Sequence, residues 1–486
     1  LSLHDALPIF GSEHLIGLAG AGASSGMAMA HWEIQGWMIL ILGWVFVPFY
    51  SRSMVYTMPE FLERRYNPQS RTILSVISLV SYVLTKVAVT VYAGGLVFQQ
   101  VFGIKELWGI DFFWIAAIGL VVLTALYTIF GGMKSVLYTS VLQTPILLLG
   151  SLIILVLGFK ELGGWDEMMR VCGAVTVNDY GDTMTNLIRS NDDANFPWLG
   201  ALIGSAIIGF WYWCTDQFIV QRVLSGKNEK EARRGTIFGA YLKLLPVFLF
   251  LIPGMIAFAL HQKYIGAGGE GFLPMLANGT ANADAAFPTL VAKLLPAGVK
   301  GLVVCGILAA LMSSLASLFN SSAMLFTIDF YKRFRPETPE KKLVGIGQIA
   351  TVVIVILGIL WIPIMRSVGD VLYTYLQDVQ SVLAPGIAAA FLLGICWKRT
   401  SAQGGMWGLI AGMVIGLTRL GAKVYYSNAG EVADSTFKYL FYDMNWLFFC
   451  GWMFLFCIIV VIVVSLATEA PTAEKIQGLV FEIGRA

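Results

Sequence analysis

Three residues within GLVVCGILAALMSSLASLFNSSAMLF, positions 301–326, have the chemistry to hold a small hard cation. Ala310, Ser313 and Ser314 stand three and four residues apart, so on a helix they share one face and offer a backbone carbonyl and two hydroxyl oxygens. The same spacing of small residues and serines also serves close packing of membrane helices. A second set is ionisable. Glu33, Lys86, Asp216 and Lys243 lie in apolar runs, and Tyr373, Tyr375, Gln377, Asp378 and Gln380 form a polar run inside LYTYLQDVQSVL. An ionisable group in hydrocarbon is disfavoured by about 2.5 to 3.5 kcal/mol on insertion scales, so each needs a partner or a function. Together with Trp211, Tyr212 and Trp213 these side chains suit an uncharged ring bearing many hydroxyls. A carboxylate accepts from hydroxyls, an ammonium donates to them, and an amide does both. That is how a sugar is gripped. Two plainer readings stay open: the aromatics as an interfacial belt, and an internal ion pair such as Glu33 with Lys86. Lys86 lies fifteen residues beyond Arg71, roughly 22 Å along a helix and too deep to snorkel easily. Lys243, nine residues beyond Arg234, could reach the interface in part.

Such groups need a scaffold, and composition says which kind. Over 486 residues the chain is 57% hydrophobic and 13% charged, with mean hydropathy +0.74, so most of it spans a bilayer as helices. The net charge of +2 and the lack of a polybasic run leave no footing for nucleic acid. The six cysteines are scattered; only Cys172 falls in a long aqueous loop, so neither a disulfide framework nor a metal cluster is indicated. Apolar segments at 6–20, 22–50, 72–102, 112–130, 138–159, 197–222, 236–261, 297–329, 344–365, 370–396, 403–422 and 446–467 predict about twelve spans, the first incomplete.

Loop charge orients them. Arg64, Arg65 and Arg71 follow the second span, Lys134 the fourth, Arg222, Lys227, Lys230, Arg233 and Arg234 the sixth, Lys332, Arg333, Arg335, Lys341 and Lys342 the eighth, and Lys398 and Arg399 the tenth. Every second loop is basic and is expected to face the cytoplasm. The loop 160–196, with Asp166, Glu167, Asp179, Asp182, Asp192 and Asp193, is expected outside, and the tail after Leu466 inside. Residues 1–9, LSLHDALPI, and the last five, EIGRA, resemble translated sequencing-adapter fragments and are expected to be artefactual, with native chain extending beyond both.

The stretches FGSEHLIGLAGAG, HWEIQGWMILILGWVFVPFY, YTMPEFLERRYN, WYWCTDQFIVQRVLSGKN, GAYLKLLPVF, MSSLASLFNSSAMLFTIDFYK, YLQDV and PGIAAAFLLGICWKRT resemble the sodium/glucose cotransporters of the solute:sodium symporter family. The matches run in order from residue 10 to about 481. The resemblance implies an all-α polytopic membrane protein with a LeuT-type core of two inverted five-helix repeats. They would occupy 10–159, with the first helix truncated, and 197–396. Residues 160–196 would form an extracellular loop, 397–467 accessory helices and 468–486 a cytoplasmic tail.

The family's sugar contacts fall on His14, Glu33, Lys86, Trp213, Lys243 and Gln377, and its ring-stacking inner gate on Tyr212. Leu18, Trp32 and Tyr373 match the outer gate. The sodium site falls on Ala310, Ser313 and Ser314, its other half on Leu7 to Phe10, within the adapter-like segment. Relatives that carry two sodium ions have an Asp where this chain has Ser140 and a Thr where it has Ala316. That departure predicts one sodium per sugar.

The expected activity is therefore symport of a glucose- or galactose-type monosaccharide with sodium through the cell (inner) membrane, by alternating access. Its partners would be the sugar, the co-transported sodium ion and the lipid bilayer, with no obligate protein partner evident. The alternatives are myo-inositol or another polar solute as cargo, and a membrane sugar sensor that binds without transporting. No filter-like motif supports a channel, and no nucleophile paired with a base supports an enzyme.

Overall fold

A computed structural model describes residues 13–481 except 35, 56, 225, 277–278, 369–370 and 429–432; side chains at 13, 34, 127, 129–143 and 366–368 are also not described. The adapter-like ends and Leu7 to Phe10 lie outside the described residues, as do the side chains of Lys134 and Ser140.

The chain is a bundle of apolar helices: α1 (13–25), α2 (30–53), α3 (Met58–Arg65), α4 (Pro68–Phe102), α5 (Phe112–Leu162), α6 (Trp165–Gly173), α7 (198–224), α8 (Glu229–Gly266), α9 (Ala286–Leu294), α10 (Ala297–Phe334), α11 (Glu340–Val368), α12 (Leu372–Cys396), α13 (Ala402–Asn428) and α14 (Trp446–Ala467). All but α3, α6 and α9 are apolar membrane elements. Extra-wide π-helical turns interrupt several of them. Three carry expected site residues: Glu13–Leu18 holds His14, Tyr82–Val87 holds Lys86, and Phe210–Thr215 holds Tyr212 and Trp213. A wider turn shifts the side chains beyond it around the helix, a device common at functional sites.

Two boundaries differ from the sequence-based expectation. The first two spans part at Gly26, not near residue 21, because Gly26 takes φ 71, which a residue with a Cβ resists. The loop 174–197 occupies that corner: Met27 N–H donates to the Met184 carbonyl at 2.8 Å, and Arg189 donates to the carbonyl of Ser25. Second, Phe112–Leu162 is helical throughout its 51 residues, where two spans were expected to part at 131–137. At about 1.5 Å per residue a straight helix of that length would be roughly 76 Å long, more than twice the hydrocarbon thickness. It is not straight. Leu120 and Leu311 both border Gly94, while Ile146 and Leu147 border Gly306. Leu120 beside Leu311 and Leu147 beside Gly306 lie closer together than the roughly 40 Å that 27 residues of straight helix would span, so α5 is bent. A Gly131–Gly132 pair weakens a helix without ending it.

Charge at the helix ends holds loops in place. Arg65, expected as a membrane-surface charge, is wholly buried and donates to the carbonyls of Gly394 (2.6 Å), Thr400 (3.0 Å) and Trp397 (3.2 Å), capping the C-terminus of α12. Asp329 near the C-terminus of α10 takes Arg71 Nε–H at 2.8 Å and the Thr57 hydroxyl at 3.1 Å. Asp284, just before α9, accepts the Leu372 N–H at 3.1 Å on each oxygen, capping the N-terminus of α12, and packs on Gly20 of α1.

Arg65→Leu leaves three carbonyls without their charged donor and is expected to destabilise the fold by on the order of 3 kcal/mol, while Arg65→Lys loses less. Thermal unfolding in detergent checks this; equal melting points for Arg65 and Leu would contradict the capping role.

Candidate functional site

Between α1, α2, α7, α8 and α12 lies a cavity lined by His14, Trp32, Ile208, Gly209, Tyr212, Trp213, Lys243, Tyr373, Leu376, Gln377 and Gln380. Its volume is about 40 Å³, room for roughly three waters. A six-membered polyol needs more, so the walls are closed together here.

The floor is an ionic knot. Lys243 Nζ stands 2.6 Å from Glu33 Oε2 and 2.6 Å from His14 Nε2, and the Tyr373 hydroxyl donates to Glu33 Oε1 at 3.0 Å. Four helices, α1, α2, α8 and α12, thus meet at one carboxylate that is entirely buried. Lys243 is 4% exposed, so it does not snorkel, and its partner is the reason. The expected Glu33–Lys86 pair is not formed. Lys86 instead pairs with Asp216, which also accepts the Tyr82 hydroxyl at 2.9 Å. Lys86 Nζ lies 5.0 Å from the Tyr212 ring centroid and does not line the cavity.

Asp216 has a second task. It takes an extended conformation (φ −77, ψ 127) that breaks α7, its Oδ1 accepts the Phe218 N–H at 3.2 Å, and its carbonyl accepts from Ile219 and Val220. It is the N-cap of the second half of α7. An Asp followed by polar Gln217 inside an apolar run was the visible signal for that break.

Of the expected solute contacts, His14, Tyr212, Trp213, Lys243 and Gln377 line the cavity, Glu33 stands just behind Lys243, and Lys86 sits apart on α4. Trp213 presents its ring 5.6 Å from Lys243 Nζ. Among the gate residues, Trp32 and Tyr373 line the cavity, with Trp446 5.5 Å behind Trp32; Leu18 is wholly buried and is not a lining residue. Gln380, a helical turn beyond Gln377, also faces the cavity and had no assigned role. Gln377 Oε1 is buried without a hydrogen-bond partner among the described residues. On α10, Ala310 and Ser313 are buried and Ser314 is half-buried, on one face as the spacing predicts.

A many-helix membrane bundle with a broken helix and a buried polar cavity is consistent with a LeuT-type fold. Similar solved structures agree on that fold: a Na+-coupled sialic acid symporter in a substrate-bound outward-open state (TM-score 0.71, 19% identity, 97% of this chain and 91% of that one). A closed nucleobase-cation-symport-1 family transporter, Mhp1, is also similar (TM-score 0.52, 14% identity, 98% and 94%). The Sodium:solute symporter family matches residues 6–412, and the chain belongs to that family. It is 36% identical to the human sodium/myo-inositol cotransporter 2 over 482 residues, 96% of this chain and 70% of that protein. Against the human sodium/myo-inositol cotransporter it is 36% identical over 494 residues, 97% and 68%. The protein is thus a multi-pass membrane transporter that couples a solute to sodium.

Lys243→Met leaves Glu33 buried with its main countercharge gone, expected to cost about 3 to 5 kcal/mol, whereas Lys243→Met with Glu33→Gln is expected to cost less than that single change. Thermal melting of Lys243→Met, Glu33→Gln and the double variant tests the pair; additive losses would contradict it.

Proposed function

We propose that the protein carries a neutral cyclic polyol, myo-inositol or a close relative, into the cell with sodium. The sequence reading placed a glucose- or galactose-type sugar first; the names of the relatives favour the cyclitol alternative. The observation that carries a polyol is the unsatisfied Gln377 Oε1 in a cavity whose other polar lining is His14, Lys243, Tyr373 and Gln380. A buried acceptor without a donor costs about 1 to 3 kcal/mol, which a ligand hydroxyl removes. Tyr212 and Trp213 offer ring faces to the apolar side of such a molecule.

In this reading His14, Lys243 and Gln377 bind hydroxyls, and Glu33 orients Lys243. Lys86 acts through the pair with Asp216 beneath Tyr212, as part of the inner gate. Leu18, Trp32 and Tyr373 close the outer side. Sodium sits against Ala310, Ser313 and Ser314. Cation and solute each stabilise the arrangement the other needs, and reciprocal linkage makes this coupling rather than coincidence. Ala316 is wholly buried and contributes no side-chain oxygen, which favours a single cation per turnover. One charge through about 100 mV gains roughly 2.3 kcal/mol and a tenfold sodium gradient about 1.4 more. The sum, about 3.7 kcal/mol, supports on the order of 500-fold accumulation at one-to-one coupling. The membrane is taken to be the cell (inner) membrane, with the Arg- and Lys-rich loops inside.

Uptake of labelled myo-inositol into proteoliposomes is expected only with an inward sodium gradient, with glucose and galactose competing more weakly than unlabelled myo-inositol. Gln377→Ala should raise the half-saturating solute concentration about tenfold, the loss of one buried hydrogen bond. Ser314→Ala should weaken the sodium dependence and leave the order of competitors unchanged. Binding without sodium-driven accumulation would support a sensor instead. Simultaneous current and flux should give a charge-to-solute ratio near one; a ratio near two would overturn the single site.

A further inference from the structure

Helix α12 has two working faces. Tyr373, Leu376, Gln377 and Gln380, at spacings of three and one and three, point into the cavity. Asp378, Val382 and Gly386, four residues apart, point the other way onto α13. There they form three rungs. A Cβ at Gly412 would lie 2.6 Å from the Gly386 Cα, a Cβ at Gly416 would run into the Val382 carbonyl oxygen, and Asp378 pairs with Lys423. The first two rungs are backbone pressed on backbone through missing side chains. They fix how close the helices lie and keep Gly386 and the Val382 backbone at the seam, but neither is a polar bond. The third rung is directional.

We propose that the Asp378–Lys423 pair fixes the rotation of α12 on its α13 side, as the Tyr373–Glu33 bond does on the cavity side, and so holds Gln377 and Gln380 toward the solute, which makes both charged side chains positioning residues for solute binding; this rests on the solute site proposed above. Asp378 follows Gln377 by one residue, about 100° around the helix, so any turn that parts Asp378 from Lys423 swings Gln377 by the same angle. Asp378 is 9% exposed, so its carboxylate has no ready solvation outside the pair. Arg419, the other nearby cation, forms no ion pair with Asp378 among the described residues: it donates to the carbonyls of Leu440 (3.3 Å) and Met444 (2.6 Å) and lies over Phe449. Lys423 is therefore the direct counterion. The accessory helix α13 thereby takes part in solute recognition without touching the cavity.

The test compares the whole protein with Lys423→Met, Lys423→Arg and the exchange Asp378→Lys with Lys423→Asp. Lys423→Met is expected to raise the half-saturating myo-inositol concentration about tenfold, and the other two to stay within about threefold of the original. Sodium titration followed by tryptophan fluorescence without solute should stay within about twofold throughout, which a general loosening of the fold would not allow. A change under about twofold in Lys423→Met, or an exchange variant as impaired as Lys423→Met, overturns the proposal. A second readout needs no solute. With Cys305 and Cys396 replaced by Ser, Gln377→Cys should react with a methanethiosulfonate reagent at least about fivefold more slowly when Lys423→Met is added, and an unchanged rate overturns the proposal. If the original protein takes up no myo-inositol, the solute assignment fails and this reaction alone decides the role of the pair. Should Lys423→Met not fold, Lys423→Gln is held to the same values.

Discussion

One buried carboxylate sets the geometry of the bundle. Glu33 is sealed from solvent, so its charge has to be met by Lys243, His14 and Tyr373, which arrive from three other helices. Taking a carboxylate and an ammonium out of water costs several kcal/mol each, and their attraction repays this only in close, well-bonded geometry. The four helices are consequently held at the spacing the knot dictates. The cavity is the space left above it.

That arrangement explains why the cavity is closed and also how it could open. Tyr373 belongs to both the knot and the wall, since its hydroxyl reaches Glu33 while its ring closes on Gly17 of α1. Only a residue without a side chain at 17 lets the ring lie so near. A solute that needs Lys243 and the Tyr373 wall must move α12 relative to α1, and α12 is capped at one end by Asp284 and at the other by Arg65. Bonds at both ends resist sliding of the helix along its axis. Small rearrangements of a packed interface pass between discrete states rather than deforming smoothly.

The spans were legible because each needs about 20 apolar residues and because Arg and Lys mark alternate loops. The cavity was legible in its members: the family motifs pointed to His14, Trp213, Lys243 and Gln377, and these residues line it together. Its pairings were not. Glu33 and Lys243 are 210 positions apart, and nothing local tells a carboxylate which of two buried lysines it will meet. Lys86 was closer in sequence, and Asp216 claimed it. Arg65 misled for a related reason: on a sequence, a cation feeding helix carbonyls and a cation facing lipid headgroups look alike. The break at Asp216 could have been read, since an N-capping residue in an apolar run has few other uses.

Polar atoms inside this bundle sort by whether the fold answers them. Asp216 is answered three times, by a lysine, a tyrosine and a backbone N–H. Arg65 is answered by three carbonyls, and both oxygens of Asp284 by one N–H. Groups so fully satisfied have little left for a ligand, and they lie at helix ends and breaks, where they fix the backbone. Gln377 Oε1 is different, because the fold leaves it open on the one wall where aromatic faces and an ammonium also converge. An acceptor without its donor raises the free energy of the empty state and favours whichever neutral molecule brings a hydroxyl to it. The residues that hold the helices and those that line the cavity are thus largely distinct sets, joined at Glu33, Lys243 and Tyr373. A change in the cavity at those three is for that reason felt by the bundle as a whole.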